Sequence, residues 1–158
     1  MRKILSVIFI FGMFLTFGLK AFADEANEAL AFFNRYVEAA NSYSPTITKM
    51  YSPDAKIIRQ VIKPDGTLVD LNTDTSTYIT QMKLGQATAR LRKYKNTYRK
   101  ITVAKSGTGY KISSERQPTG ETYWLKTYMV VKKQPDGSWL ITEEMMQTKV
   151  QALLKYAK

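Results

Sequence analysis

The side chains able to do chemistry in this chain form a restricted set. Its 158 residues include no histidine and no cysteine. That excludes a His general base, a Ser-His-Asp triad, a Cys nucleophile, a disulfide framework and any zinc site built on Cys or His. Acid–base work falls to Asp, Glu, Lys, Arg or Tyr, and no metal or cofactor is expected. The densest charged group is a strip holding Arg90, Arg92, Lys93, Lys95, Arg99, Lys100 and Lys105, with no acid inside it and with Tyr94 and Tyr98 interleaved. Cations that neutralise phosphates beside rings that stack on bases suit a nucleic-acid groove. The same pattern suits a solvated sheet face or an edge guarded by lysines. On a strand, Lys95, Arg99 and Ile101 share one face, and Tyr94, Tyr98 and Lys100 the other. Glu143 and Glu144 are the acids expected to pair with some of these cations.

The N-terminal segment decides between those partners. Arg2 and Lys3 precede an apolar run from Ile4 to Leu19, and Ala21-Phe22-Ala23 has the small-x-small pattern of a signal-peptidase site. Residues 1–23 therefore read as an export signal cleaved near Ala23, with a retained anchor as the rival; the run is short for a membrane span. Removing Arg2, Lys3 and Lys20 lowers the formal charge from +11 to +8. A periplasmic or secreted protein is expected. Nucleic acid is then not the expected partner. Anionic lipid, an anionic envelope polymer or an envelope protein is.

The remaining 24–158 read as one domain, with 148–158 as a C-terminal extension. Ala26, Ala29, Leu30, Phe33, Val37 and Ala40 make one apolar stripe on a helix over 24–43. Ser44-Pro45 stops it and starts a short helix. Lys56–Lys63 and Leu68–Leu71 flank the turn Pro64-Asp65-Gly66-Thr67 as a hairpin. A helix follows over 77–90, with Thr75 or Ser76 as its cap and Ile79, Met82 and Ala87 inward. Strands are expected at 94–104, 110–117, 121–133 and 139–147, and a short helix after them. Helices set apart from strands joined by hairpins define an α+β fold. The expected form is a curved antiparallel sheet of about six strands wrapped around a long N-terminal helix, with two shorter helices.

Three passages carry a family resemblance: Arg35-Tyr36-Val37-Glu38, the junction Lys49-Met50-Tyr51-Ser52-Pro53-Asp54-Ala55-Lys56-Ile57, and Pro135-Asp136-Gly137-Ser138-Trp139-Leu140-Ile141. In this order they resemble the nuclear transport factor 2-like superfamily, which includes SnoaL-like proteins and ketosteroid isomerases. In those isomerases a helix-one Tyr donates to the enolate oxygen, a first-strand Asp moves the proton, and a protonated Asp on a later strand assists. By resemblance Tyr36 stands at the donor position. The base position falls at or near Arg59, which cannot accept a proton. The stretch 122–133 holds no carboxylate.

The resemblance thus implies that the curved sheet is cone-shaped, and it implies a binding or scaffold domain without the isomerase machinery. A pocket would draw its lining from Tyr36, Tyr51, Arg59, Trp124, Tyr128 and Trp139, or the two Trp would simply pack the sheet. The ligand would be small and apolar or anionic, with Arg59 supplying one charge-assisted contact. Two further classes stay open. One is an interaction protein of a cell-envelope assembly, similar to secretion scaffolds. The other is a divergent SnoaL-like enzyme, for which Asp70 or the pair Glu143/Glu144 would have to supply a carboxylate near Tyr36. A homodimer through the sheet, using a face with Trp124, Lys126, Tyr128 and Val130, is also implied.

Overall fold

Residues 23–157 are described by the computed structural model. The export segment read over 1–23 lies, apart from Ala23, outside them. Among the described residues no helix is long and apolar enough to cross a membrane.

Helix α1 spans 23–41 and ends where Tyr43 takes a positive φ of 57°. Its buried line is Ala29, Phe32, Phe33, Tyr36 and Ala39, with Ala26, Leu30, Val37 and Ala40 packed at its flanks. Ser44 caps the next turn, its hydroxyl accepting from the Thr46 amide at 3.3 Å. That turn, Pro45–Met50, is a 3-10 helix. Strands β1 (Tyr51–Ile62) and β2 (Leu68–Thr73) form the expected hairpin, and α2 covers Thr75–Leu91. Its cap is Asp74, not Thr75 or Ser76: the carboxylate accepts from the Thr77 amide at 2.8 Å and the Ser76 hydroxyl at 2.6 Å. The inward side of α2 carries Thr75, Tyr78 and Met82 at helical spacing, while Ala87 is exposed. Strands β3 (Asn96–Ser106), β4 (Gly109–Pro118), β5 (Leu125–Lys133) and β6 (Trp139–Thr148) complete the sheet, and a 3-10 helix, Gln151–Tyr156, follows.

The six strands run in the order β2-β1-β6-β5-β4-β3. This is a mixed sheet rather than a purely antiparallel one, because β1 pairs β6 in parallel. No hairpin joins those two strands, so nothing local dictates their relative direction; the long connection through α2 and the meander permits the parallel pairing. Breaks in register interrupt β1 after Tyr51, β3 between Arg99 and Thr102, and β6 opposite Val130/Val131. Bulges of this kind bend and twist strands, and they curve the sheet around α1. Ile57, Ile112, Met129, Val131 and Ile141 face α1's buried line and form the core with it.

One close approach sets the packing at an end of the sheet. A Cβ built on Gly109 would lie 2.2 Å from the Val131 carbonyl oxygen. The β4–β5 spacing there requires a residue without a side chain.

Candidate functional site

The chemistry-bearing centre of the molecule is Glu144, a wholly buried carboxylate. Simple alternation from Trp139 and Ile141 would point Glu143 inward and Glu144 outward. The irregularity in β6 changes that parity: Ile141 pairs Val131 whereas Glu143 pairs Val130. Glu143 therefore meets the outer face, where its carboxylate accepts from the Tyr128 hydroxyl at 2.6 Å. Glu144 enters the cone.

Four donors from three elements meet it there. Tyr36 of α1 and Tyr51 at the start of β1 donate to Oε2 at 3.2 and 2.5 Å. Arg59 of β1 and Tyr78 of α2 donate to Oε1 at 2.9 and 3.3 Å. The Tyr51 ring meets Tyr78 edge-on, with 5.5 Å between centroids. The Arg59 guanidinium lies 4.6 Å from the Tyr78 ring centre, within cation–π range. Burial, reinforced by the Glu144 charge, pushes the Tyr36 and Tyr51 hydroxyls well above the usual phenol range. Burial also takes Tyr78 up to about 12. All three remain protonated donors at neutral pH. A carboxylate offers about four lone-pair sites, and all four are engaged.

Beside this cluster lies a cavity of about 290 Å³, with Tyr36, Arg59, Tyr78, Tyr98 and Arg116 on its polar wall. Ala40, Met146 and Leu153 supply apolar surface. A larger depression of about 440 Å³, next to Asp54, Lys132 and Glu143, opens on the outer face and has no buried lining residue.

Of the six side chains expected to line a pocket, Tyr36 and Arg59 reach the cavity and Tyr51 sits behind them on Glu144. The other three do not join them. Leu125, Thr127, Met129 and Val131 take the buried side of β5, so Tyr128 falls outside, with the Lys111 ammonium 3.7 Å from its ring centre. Trp124 precedes the strand, and the Arg99 guanidinium stacks 3.9 Å from its ring centre. Trp139 is buried, but its indole N–H donates to Glu28 at 3.2 Å near the start of α1. Glu28 and Tyr36 are separated by about 12 Å of helix. Asp70 lies on the outer face and accepts from Gln60 at 2.8 Å.

The basic strip is dispersed as well. Arg90, Arg92 and Lys93 close α2, while Lys95 and Lys105 lie at opposite ends of a strand about 33 Å long. Neither Glu143 nor Glu144 pairs with the strip. Glu115 does, taking Arg99 at 2.7 Å and Lys100 at 2.9 Å, and Lys105 lies 3.6 Å from Glu25. Lys100, with φ 52°, sits at the β3 irregularity, so the expected two-face division holds only up to Arg99.

Arg116 and Tyr78 were not singled out from the sequence. Arg116 carried a usable signal, since it shares strand parity with Tyr110, Ile112 and Ser114, which is an inward apolar register. Tyr78 stands one turn before Met82 on the inward side of α2.

No family model matches the chain, and no curated protein matches it. Solved structures do. A protein of unknown function from the DUF3225 family of Pectobacterium atrosepticum is 20% identical, with 79% of this chain and 91% of that one covered at a TM-score of 0.59. A nuclear transport factor 2-like protein of unknown function from Pseudomonas putida is 13% identical, covering 86% and 94% at 0.57. A nuclear transport factor 2-like protein with a cystatin-like fold from Novosphingobium aromaticivorans is 10% identical, covering 85% and 88% at 0.56. The chain adopts the nuclear transport factor 2-like fold, as the sequence motifs implied. That fold hosts many functions, so function has to be argued from the site.

Proposed function

We propose that this protein is an exported, non-catalytic binding domain that holds a small ligand in the cavity between α1, α2 and the concave sheet face. The observation that carries this is the cavity of about 290 Å³ beside a hydrogen-bonded cluster rather than beside a free base. A general base needs an open lone pair aimed at the proton it takes. Glu144 spends its acceptor capacity on Tyr36, Tyr51, Arg59 and Tyr78. Its role is to fix those four side chains and so shape the wall of the cavity. The export part rests on the sequence of residues 1–23.

The test has two arms. N-terminal sequencing of protein from the periplasmic fraction is expected to begin at Asp24; an intact Met1 in a membrane fraction would favour the anchored, assembly-protein reading. Native mass spectrometry and thermal shift with a panel of small aromatic and aliphatic compounds are expected to give a saturable one-to-one ligand. A panel with no binder would overturn the ligand reading.

The outer sheet face supports a second role alongside the first, a homodimer. Lys111, Tyr128 and Glu143 form a connected row across three adjacent strands there, with half-buried Val130 and Met145 beside it. Light scattering is expected to give twice the mature mass, and Tyr128→Asp to give the monomer.

A further inference from the structure

Arg116 is the cavity's other guanidinium, and among the described residues no carboxylate neutralises it. It stands on the inner face of β4, between Tyr98 of β3 and Leu125 of β5, and is only 6% exposed. Its contacts are all to neutral acceptors. Nη1 donates to the Asn96 side-chain oxygen at 2.8 Å and to the Tyr94 hydroxyl at 3.3 Å, and Nη2 donates to the Gln147 carbonyl at 2.8 Å. None of the ion pairs among the described residues includes it. A guanidinium has five N–H donors. The three contacts leave two unused, and one of those, on Nε, is shielded from solvent with no acceptor. Arg59 is in a different position, because Glu144 already holds it.

Two cations and one anion therefore meet at this cavity, leaving one positive charge in excess. A buried ion without a counter-ion is unfavourable, and a fold that retains one is commonly completed by a partner of opposite sign. Asn96 and Tyr94 hold the guanidinium in place from the β3 side. Tyr36 and Tyr98 add rings to the wall, while Ala40, Met146 and Leu153 offer surface to an apolar body. The volume corresponds to on the order of ten water-sized groups.

We propose that the cavity's ligand is a small organic carboxylate whose anionic group seats on Arg116 and whose apolar body lies against Ala40, Met146 and Leu153. This rests on the ligand reading above and gives that ligand a charge and an anchor. It also moves the expected charge-assisted contact from Arg59 to Arg116.

Calorimetric titration of the mature protein with benzoate, benzamide and inorganic phosphate tests it. Benzoate is expected to bind at least about tenfold more tightly than benzamide, as one charge-assisted bond would give. Arg116→Gln is expected to abolish that preference, and Arg116→Lys to keep part of it. Benzamide binding as tightly as benzoate would overturn the anion proposal while leaving the ligand reading intact. Phosphate binding with benzoate silent would overturn the organic-carboxylate class. Silence from all three probes, joined to a panel without binders, would overturn both. The wild-type comparison of benzoate with benzamide decides the matter even if the Gln variant fails to fold.

Discussion

Replacing Glu144 by Gln tests the organisation of the site most directly. Gln has nearly the same shape but loses the charge and turns one acceptor oxygen into an NH₂ donor. The amide oxygen keeps two of the four donors. The amide nitrogen then faces either Tyr36 and Tyr51, whose hydroxyls must turn round to accept from it, or Tyr78 and the Arg59 guanidinium, which has no acceptor to offer. In both cases Arg59 loses its counter-charge. Glu144 is wholly buried and the Arg59 side chain is 19% exposed. Removing one partner of a buried ion pair costs about 3–5 kcal/mol, and the partial exposure of Arg59 places this case near about 3 kcal/mol. For a domain of this size that corresponds to a fall in Tm of about 10 °C. Urea unfolding followed by circular dichroism gives the free energy, and calorimetry gives the Tm. Pairing the change with Arg59→Met completes a double-mutant cycle. The double variant is expected to be more stable than the sum of the single losses by at least about 1 kcal/mol, since a neutral pair no longer buries a lone charge. A loss below about 1 kcal/mol for Glu144→Gln, or additive effects in the cycle, would refute the claim that this carboxylate holds the cluster together.

Three further outcomes test the helix cap, the Tyr78 hydroxyl and the β4–β5 approach. Asp74 is held at about 2, chiefly by the Ser76 hydroxyl and the Thr77 amide. Its capping contribution is present above the unfolded value of about 3.9 and is lost as pH falls through about 2. Asp74→Ala should therefore lose less stability than wild type on acidification across that window, in urea titrations at fixed pH. Burial raises Tyr78 to about 12, so its stabilising effect is complete below pH about 10 and is lost as pH rises through about 12. Tyrosinate absorbance should accordingly show a late group of phenols that ionise together with unfolding, and Tyr78→Phe should reduce the alkaline loss. Gly109→Ala should destabilise the fold by about 1–3 kcal/mol, because its Cβ would sit 2.2 Å from the Val131 carbonyl; thermal melts of the variant check this.

Much of the architecture was legible because it follows from local chemistry. The apolar stripe of α1, the Ser44-Pro45 restart and the Gly-containing turn at 134–138 are short-range signals, and each lies where local physics puts it. Boundaries shifted where a tertiary contact won. β1 begins at Tyr51 rather than Lys56, because its first residue already pairs with Ile141 of β6. The last strand of the meander's long hairpin was legible, but the start of β5 was not: Tyr123 and Trp124 read as strand residues, yet pairing with β4 begins at Leu125, opposite Arg116. The site was less legible than the fold. Tyr36, Tyr51 and Arg59 are legible as site residues, and Arg59 lines the cavity as expected, but its bond to a buried carboxylate is not legible. Trp124, Tyr128 and Trp139 were grouped with them on aromatic character, which says nothing about the face or the end of the sheet a ring occupies.

The sequence by itself determined the reagents of this protein. Without His or Cys, a polar cluster in its interior had to be built from Tyr, Arg and carboxylates, and the order of helices and hairpins limited where these could lie. Which carboxylate enters the cone was decided only in three dimensions. Side chains on a strand alternate with a period of two, so a one-residue irregularity moves every later residue to the opposite face. Such an irregularity in β6 sends Glu143 out to Tyr128 and Glu144 in to Tyr36, Tyr51, Arg59 and Tyr78. No local pattern in the sequence marks it, because it arises where β6 must match β5 on one side and β1 on the other.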